Sequence, residues 1–292
     1  MADVWADIAT QISQVTGQIF RVEQTRSVGG GCINQAYGLS DGQTTFFVKL
    51  NQASKLAMFE AELAGLKEMY NSQTIRVPQP LCCGLAGTSS FIAMEWLELS
   101  NGGSSAWATM GEHLAAMHRT SSDLGFGWQR ANTIGETHQP NDWQDSWLNF
   151  WRDQRLGYQF RLAKRRGGSF PQQEALLAAL PELLAGHDPM PSLVHGDLWS
   201  GNAAISTTGE PVIFDPAAYY GDREVDLAMT ELFGSFPRAF YDAYDAVYPL
   251  SDGYPTRKIL YNLYHILNHF NLFGGGYASQ ANRMIQQLLT KV

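Results

Sequence analysis

The chain has few cysteines. Of its 292 residues only three are cysteines, namely Cys32, Cys82 and Cys83, and the last two are adjacent in sequence. Small secreted domains depend on several disulfide pairs, and cysteine zinc sites need regularly spaced ligands, so this pattern favours neither. We therefore predict that the protein works in a reducing cytoplasm.

The sequence also lacks long apolar runs and a surplus of positive charge. Its N-terminus is acidic without the apolar core of a secretory signal, and no stretch approaches the roughly 18 apolar residues of a membrane-spanning helix. The 20 Lys and Arg residues are outnumbered by 28 Asp and Glu residues, which gives a net charge of −8. Because nucleic acids and anionic membranes attract basic surfaces, we predict neither as a partner.

Apolar and aromatic residues, by contrast, are abundant. The apolar content is 45%, and the 12 Tyr, 15 Phe and 8 Trp residues predict a large core and an aromatic-lined cleft. A chain of this length exceeds what one small core needs, so two lobes are expected. The flexible stretch 101–105 suggests a boundary near residue 96, which gives lobes 1–96 and 97–292.

The N-terminal part has the pattern of a sheet with a glycine-rich turn. Residues 3–16 have helical apolar spacing, whereas residues 19–22 and 45–50 have the composition of strands. Glycines allow backbone N–H groups to approach phosphate oxygens, although a triple glycine is also common in ordinary hairpins. Lys49 stands at the end of the second predicted strand, an order typical of the nucleotide-binding half of kinases. The residues of the turn are Gly29, Gly30, Gly31, Cys32, Ile33 and Asn34.

The next two elements extend this kinase-like interpretation. Residues 58–70 predict a helix in which Glu62 would orient Lys49, with Glu60 as the alternative and a solvated helix-face charge as the ordinary explanation. Residues 91–97 predict a strand that runs into a connector between the lobes. We expect the backbone of this connector to face adenine, over the residues Met94, Glu95, Trp96 and Leu97.

The rest of the chain has mainly helical spacing, with residues 122–141 predicted as a polar loop. The sequence therefore predicts an α+β, bilobal protein-kinase-like fold with an N-terminal antiparallel sheet plus helix and a mainly helical C-terminal lobe. The segments with helical spacing are 107–117, 143–151, 156–166, 172–185 and 236–292.

The chemistry is carried by one segment of the C-terminal part. Asp197 follows His195 and Gly196, Asn202 comes five residues later, and Asp215 follows an apolar pair. A kinase needs one carboxylate near the attacking hydroxyl, and an amide and a second carboxylate as oxygen ligands for Mg²⁺. Asp and Asn also cap ordinary turns, but the complete order favours the catalytic interpretation.

Asp226 follows this segment at the start of a predicted helix. Its carboxylate could accept backbone N–H bonds from the catalytic loop and hold the loop in shape. The alternative is an acidic residue in the first helical turn, where a negative charge is favoured.

The same segments resemble the fructosamine-3-kinase (ketosamine-3-kinase) family. The resemblance rests on 193–202, which reads Leu-Val-His-Gly-Asp-Leu-Trp-Ser-Gly-Asn, on 215–228 and on 29–34, and it includes the central segment 132–141. It implies ATP- and Mg²⁺-dependent phosphorylation of the sugar 3-hydroxyl of ketosamines, which are products of glycation. The phosphorylated adduct then releases the amine, so the activity would repair glycated proteins or free ketosamines.

The resemblance also implies residue roles. Asp197 would be the catalytic base, Asn202 and Asp215 would hold Mg²⁺, and Lys49 with Glu62 would bind the ATP phosphates. The substrate residues would be Trp199, stacked on the sugar, and His195. Packing of the loop is the alternative role for Trp199.

Cys32 is the one cysteine placed for a possible redox function. The resemblance implies a monomer, or a redox-dependent dimer linked through Cys32, whereas the ordinary explanation is a small residue in a tight turn. Two other functions stay open: a small-molecule kinase of the aminoglycoside or choline type, and a nucleotide-binding pseudokinase. The presence of Lys49, Asp197, Asn202 and Asp215 disfavours the pseudokinase.

Overall fold

The structure is a computed structural model that describes residues 4–29 and 33–292. Its N-terminal part is a five-stranded antiparallel sheet in the order β1-β2-β3-β5-β4, with one helix on each face. Apolar side chains project from both faces of the sheet, so a helix packs on each face. The elements are α1 (Val4–Thr16), β1 (Gln24–Val28), β2 (Gln35–Ser40), β3 (Thr45–Gln52), α2 (Leu56–Ser72), β4 (Pro80–Ala86) and β5 (Ser89–Glu95).

Strand β3 decides where Lys49 points. Val48 and Leu50 face the small core that α1 covers, together with Ile8 and Phe91. Because successive side chains alternate between the faces of a strand, Lys49 projects to the opposite face, toward α2. The predicted strand over residues 45–50 is confirmed, and its period brings the lysine into the interior.

The strand predicted over residues 19–22 is wrong. These residues form an irregular segment, and the first strand begins later, at Gln24. Phe20 is buried in the small core, and its backbone N–H donates to the Ser13 hydroxyl at 2.9 Å. The segment is therefore fixed by one buried side chain and by a hydrogen bond to α1 instead of by a neighbouring strand.

The C-terminal part is mainly helical, with short strand pairs between the helices. A π-helical turn, Trp151–Leu156, lies between α4 and α5. The helices are α3 (Ser104–Met117), α4 (Trp147–Phe150), α5 (Gly157–Arg165), α6 (Gln173–Leu183), α7 (Glu224–Thr230), α8 (Arg238–Val247), α9 (Tyr254–Phe273) and α10 (Tyr277–Leu289). The strands are β6 (Leu99–Ser100), β7 (Asn132–Ile134), β8 (Thr137–Gln139), β9 (Ser192–Val194), β10 (Ala203–Ser206), β11 (Pro211–Ile213) and β12 (Tyr219–Gly221).

Two of these strand pairs hold the central motif. Strands β9 and β12 pair antiparallel, with Val194 opposite Tyr219, so the chain enters and leaves the motif at one place. Strands β10 and β11 form a hairpin inside it, with Ala203 opposite Ile213. The loop 195–202 and the residues after β11 are therefore brought side by side.

The polar segment 122–141, predicted as a loop, contains the hairpin β7–β8. Three of its amide side chains are buried and bonded to each other: Asn132 Oδ1 accepts from Gln139 Nε2 at 2.8 Å and from Asn141 Nδ2 at 2.9 Å. Asn132 Nδ2 in turn donates to the Ala218 carbonyl at 2.8 Å. The buried amides of this segment therefore serve internal hydrogen bonding, whereas Asp123, Glu136 and His138 are exposed.

The larger hydrophobic core extends through both parts of the chain. It includes Phe59 and Met94 from the sheet side, and Leu114 and Phe150 from the helical side. Over residues 4–29 and 33–292, none of the helices combines the length and the apolar character needed to cross a bilayer.

Candidate active site

A cleft of about 750 Å³ lies between the sheet and the helical part. This volume falls in the range of small-molecule sites. The cleft collects most of the site residues that the sequence predicts, from both parts of the chain. Its lining includes Gly29, Ile33, Asn34, Lys49, Glu62, Met94, Glu95, Trp96, Leu97, Asp197, Trp199, Asn202 and Asp215.

Lys49 joins the two sides of the cleft. Its ammonium group donates to Glu62 Oε1 at 2.7 Å and also contacts Asp215 Oδ1. The alternative carboxylate, Glu60, faces elsewhere and pairs with Arg130 at 3.0 Å. The geometry therefore selects Glu62 over Glu60 as the partner of Lys49.

The charge of Lys49 is secured by these two carboxylates. Burial by itself would lower the pKa of the lysine, but the nearby charges of Asp215 and Glu62 outweigh this effect and raise it. A permanently charged ammonium group thus lies in the cleft, between helix α2 and the segment after β11.

The loop that carries Asp197 has a constrained backbone. Gly196 has φ +79°, and a Cβ atom there would lie 2.3 Å from the Ala217 carbonyl oxygen, so only glycine fits. Asp226 accepts hydrogen bonds from the backbone N–H groups of His195 at 2.7 Å and Gly196 at 2.8 Å. The predicted interaction of Asp226 with the loop is confirmed by this geometry.

Asp226 is itself held by a buried histidine. The side chain of Asp226 is fully buried, and its Oδ2 lies 3.1 Å from His118 Nε2, while His118 Nδ1 lies 2.7 Å from the Tyr244 hydroxyl. Burial opposes ionisation, but the hydrogen bond to His118 and the backbone N–H of His195 lower the pKa of Asp226 below its usual value. An ionised carboxylate thus anchors the loop from below.

The prediction that His195 contacts the substrate is wrong. Its side chain is fully buried: the ring Nε2 lies 2.9 Å from the Phe214 carbonyl, and the Asp197 backbone N–H donates to Nδ1 at 3.2 Å. Since a carbonyl only accepts, Nε2 carries the proton and Nδ1 accepts. Burial lowers the pKa of His195, so the ring is a neutral brace between the residues that lead to Asp197 and Asp215.

The carboxyl group of Asp197 is less acidic than that of an ordinary aspartate. Burial, followed by the negative charge of Asp215, raises its pKa to about 7, although a hydrogen bond from Asn202 acts in the other direction. A carboxyl group whose pKa lies near neutrality is suited to accept a proton at physiological pH.

Asn202 and Asp215 are brought together by the β10–β11 hairpin, at whose open end the Phe214 N–H donates to the Asn202 carbonyl at 3.0 Å. Asn202 Nδ2 donates to the backbone carbonyl of Asp197 at 2.9 Å, which leaves the amide oxygen free to coordinate a cation. Asp215 has φ +59°, a strained conformation for a residue other than glycine, and its side chain is 44% exposed. One amide oxygen and a carboxylate are ligands that fit Mg²⁺.

Two arginines contact the residues at the start of the connector after β5. The Glu95 carboxylate accepts from Arg76 Nη2 at 2.5 Å and 2.6 Å, and the Arg26 guanidinium lies 4.6 Å from the centre of the Trp96 ring. Trp199, on the other side of the cleft, is 38% exposed. Binding roles for Glu95, Trp96 and Trp199 stay predictions.

Sequence reasoning missed part of the lining. Arg26, Thr133 and Gly135 also face the cleft. The segment 132–141 carried a family signal that pointed to the hairpin, whereas Arg26 had no such signal. The predictions for Gly30, Gly31 and Cys32, including a dimer through Cys32, lie outside the described residues.

Comparisons with known proteins agree with this geometry. The fructosamine kinase family model matches residues 4–291. A protein of Synechocystis named as a ketoamine kinase is 58% identical over 285 residues, which cover 98% of this chain and 97% of that protein. The chloroplastic protein-ribulosamine 3-kinase of Arabidopsis thaliana is 43% identical, over 94% of this chain and 85% of its own length.

Solved structures lead to the same family. A crystal structure from Haemophilus somnus, described as a fructosamine-3-kinase, has a TM-score of 0.91 and 30% identity and covers 98% of this chain and 100% of its own. An aminoglycoside phosphotransferase, with a TM-score of 0.59 and 17% identity over 97% of this chain and 98% of its own, shares the fold alone. The bilobal kinase-like fold is thereby confirmed, and this protein is a kinase that belongs to the fructosamine kinase family.

Proposed function

We propose that the protein transfers the γ-phosphoryl group of Mg²⁺-bound ATP to the sugar 3-hydroxyl of ketosamines. The observation that carries this proposal is the juxtaposition of two carboxylates in one cleft. Asp215 is paired with the Lys49 ammonium group, whereas the half-buried Asp197 lies in the same cleft and has a pKa raised to about 7. Phosphoryl transfer needs one carboxylate to hold a cation and another to accept the proton of the attacking hydroxyl.

Each group has a defined task in this reaction. Lys49 offsets the charge of the transferred phosphoryl group, and Glu62 keeps the ammonium group directed into the cleft. Asn202 and Asp215 would hold Mg²⁺, which neutralises phosphate charge when bound. Asp197 orients the acceptor hydroxyl and takes its proton, while Asp226 and Gly196 fix the loop on which Asp197 lies.

The connector and the glycine-rich turn would complete the nucleotide site. The backbone of residues 94–97 would face adenine, and the turn 29–34 would cover the phosphates. Both segments line the cleft on the Lys49 side, apart from the residues outside the described part of the chain. Neighbours that share this fold include an aminoglycoside phosphotransferase solved with AMP-PNP, which supports ATP as the donor.

The acceptor is proposed from relatives and from one side chain. Relatives 58% and 43% identical are named as ketoamine and protein-ribulosamine kinases. The half-exposed Trp199 ring in the cleft offers an apolar face on which a sugar ring or chain can pack. Phosphorylation at the 3-position makes the adduct unstable, so release of the free amine would follow.

The test is ADP release with Mg-ATP, with ribulosyl-lysine, fructosyl-lysine, kanamycin and choline compared at equal concentration. We expect turnover on a ketosamine, with ³¹P NMR locating the phosphate on the 3-oxygen. Asp197→Ala should reduce kcat by about 10²- to 10⁴-fold, the usual contribution of a general base, while ATP still binds.

The matched control is Asp123→Ala, an exposed carboxylate, which should keep normal turnover. Turnover confined to kanamycin or choline would overturn the proposed acceptor. Near-normal kcat in Asp197→Ala would remove Asp197 from the base role.

A further inference from the structure

The turn between Asp197 and Asn202 contains an unusually close contact. The Asn202 N–H donates to the Trp199 carbonyl at 2.9 Å, so Ser200 and Gly201 occupy the middle of a tight turn. A Cβ atom built on Gly201 would lie 2.3 Å from Cζ2 and 2.5 Å from Cη2 of the Trp199 ring. The indole ring therefore lies directly on the backbone of Gly201.

The backbone conformation at Gly201 does not itself require glycine. Its φ lies outside the left-handed region, which many other glycines of the chain adopt, among them Gly196 and Gly209. A negative φ is one that L-residues also adopt. The space needed by the Trp199 ring is therefore the reason for glycine at this position.

The ring is held on one side and open on the other. Gly201 contacts it from the loop, while 38% of the Trp199 residue remains exposed and both residues line the cleft with Asp197. Displacement of the ring from Gly201 would move it relative to the space in front of the Asp197 carboxylate. The bare backbone at residue 201 thus sets how much room the acceptor has beside Asp197.

We propose that Gly201 is a positioning residue that seats the Trp199 ring and so determines the size of the acceptor site. This inference rests on the proposed function, because it takes the Trp199 side of the cleft as the ketosamine site. Gly201 touches no substrate atom in this scheme; it acts through Trp199. The contacts of Lys49 come from β3, α2 and Asp215, so they are independent of the ring.

A methyl group at position 201 should displace the ring without unfolding the protein. The atoms that would clash belong to a partly exposed side chain, which can rotate, rather than to backbone. We expect Gly201→Ala to raise the KM for the ketosamine by roughly 3- to 10-fold, in line with the worth of one aromatic contact. The KM for ATP should stay within about twofold of the wild-type value.

The experiment is a double-mutant cycle of Gly201→Ala and Trp199→Ala, with the ketosamine and ATP kinetic constants measured for all four proteins. If Gly201 acts through the ring, Gly201→Ala should have no further effect once Trp199 is alanine. The matched control is Gly276→Ala, where φ is −63° and a Cβ would meet nothing within 4 Å, so all constants should be unchanged.

A second readout does not depend on activity. With 5-fluorotryptophan incorporated, the ¹⁹F resonance that disappears in Trp199→Ala belongs to Trp199, one of eight tryptophans. In Gly201→Ala we expect this resonance to shift while the others keep their positions. An unmoved resonance, or the same loss from Gly201→Ala in the Trp199→Ala background, would overturn the proposal.

Failure of the proposed function would give a different result from failure of the role proposed for Gly201. If the wild-type protein did not phosphorylate any ketosamine, the substrate would be wrong, whereas the ¹⁹F shift would still report on the seat of the ring. If the wild type did phosphorylate ketosamines but the cycle showed additive effects, only the role of Gly201 would be lost.

Discussion

The cleft has two halves that are built on different physical principles. The Lys49 half, defined by Lys49, Glu62 and Asp215, is held by ion pairs between β3, α2 and the segment after β11. The Trp199 half, defined by Asp197, Trp199 and Gly201, is shaped by packing of a ring on bare backbone. The Lys49 half therefore fixes the positions of charged groups, whereas the Trp199 half fixes the space beside Asp197.

This difference explains why the two carboxylates behave differently. Asp215 contacts the ammonium group of Lys49, whereas burial and the charges of Asp215 and Asp226 raise the pKa of Asp197 against the hydrogen bond from Asn202. A partly buried carboxylate beside other negative charges binds a proton more tightly. The Lys49 half is therefore suited to anchor an anion, and Asp197 to take up a proton.

The largest effect should come from the Lys49 half. Lys49→Met leaves Glu62 and Asp215 without their shared cation, and it removes the charge that offsets the phosphoryl group. We expect kcat/KM for ATP to fall by about 10²- to 10³-fold, comparable to the loss of one preorganised donor. Steady-state kinetics with ATP varied, together with calorimetric ATP binding, measure this loss.

Lys67→Met is the matched control, since Lys67 is an exposed lysine on the same helix as Glu62. It should retain wild-type kinetics. A Lys49→Met enzyme that retained most of its kcat/KM would show that the Lys49 half does not act on the phosphates, and the contrast between the halves would collapse.

The support beneath the Trp199 half should give a smaller effect. In Asp226→Asn one acceptor oxygen becomes an NH₂ group, which cannot accept one of the two backbone N–H bonds that the loop now donates. We expect kcat to fall by roughly 10- to 100-fold with little change in the KM for ATP, because small displacements of a catalytic group are expensive. Kinetics and thermal unfolding are measured on the same preparation.

Asp222→Asn provides a control on the same segment. Asp222 is equally buried, but it lies 2.6 Å from His187 Nε2 and accepts from the Tyr261 hydroxyl at 2.5 Å, away from the catalytic loop. It should lower the free energy of unfolding by about 1–3 kcal/mol with near-normal kcat. Equal losses of kcat in both variants would mean that Asp226 acts on stability alone.

The smallest of these changes in activity should come from lowering the pH. Since burial and Asp215 raise the pKa of Asp197 to about 7, its ionised form is abundant above that pH and is lost as the pH falls. With Mg-ATP limiting, kcat/KM for ATP, which reports the enzyme before nucleotide binds, should fall by roughly tenfold between pH 8 and pH 6.

Added free Mg²⁺ sharpens this test. A cation held by Asn202 and Asp215 would counteract the negative charge that raises the pKa of Asp197, so the acidic limb should move to lower pH. If kcat/KM for ATP did not change between pH 8 and pH 6, or if its decrease at low pH were unaffected by free Mg²⁺, the electrostatic difference between the halves would be contradicted.

Local patterns predicted the Lys49 half better than the Trp199 half. Period-2 alternation in β3 and helical spacing in α2 are sequence-local, and together they brought Lys49 and Glu62 into contact. The choice between Glu62 and Glu60 needed the helix in place, since the two carboxylates point to different partners. By contrast, the polar residues Asn132 and Gln139 were predicted to lie in a loop. The sequence around them could not show that their hydrogen-bond partners include the distant Ala217 and Ala218 carbonyls.

The errors have the same origin. His195 was expected at the substrate, but both of its ring nitrogens are engaged beneath the loop. Residues 19–22 were expected to form a strand. Instead, Phe20 is buried and its backbone N–H donates to the Ser13 hydroxyl, so the segment is held against α1. In each case a partner remote in sequence, or one across a turn, outweighed the local pattern.

The sequence by itself determined which reactive side chains the site contains: a lysine, a glutamate, two aspartates and an asparagine in kinase order. It also determined the strands and helices that carry several of them, because apolar spacing depends on neighbouring residues. Only the tertiary structure decided that Asp226 rests on His118, that His195 is a neutral brace and that Gly201 is the seat of an indole ring. The reason is physical. Periodicity depends on neighbours along the chain, whereas burial, proton affinity and free volume depend on what the folded chain brings close from elsewhere.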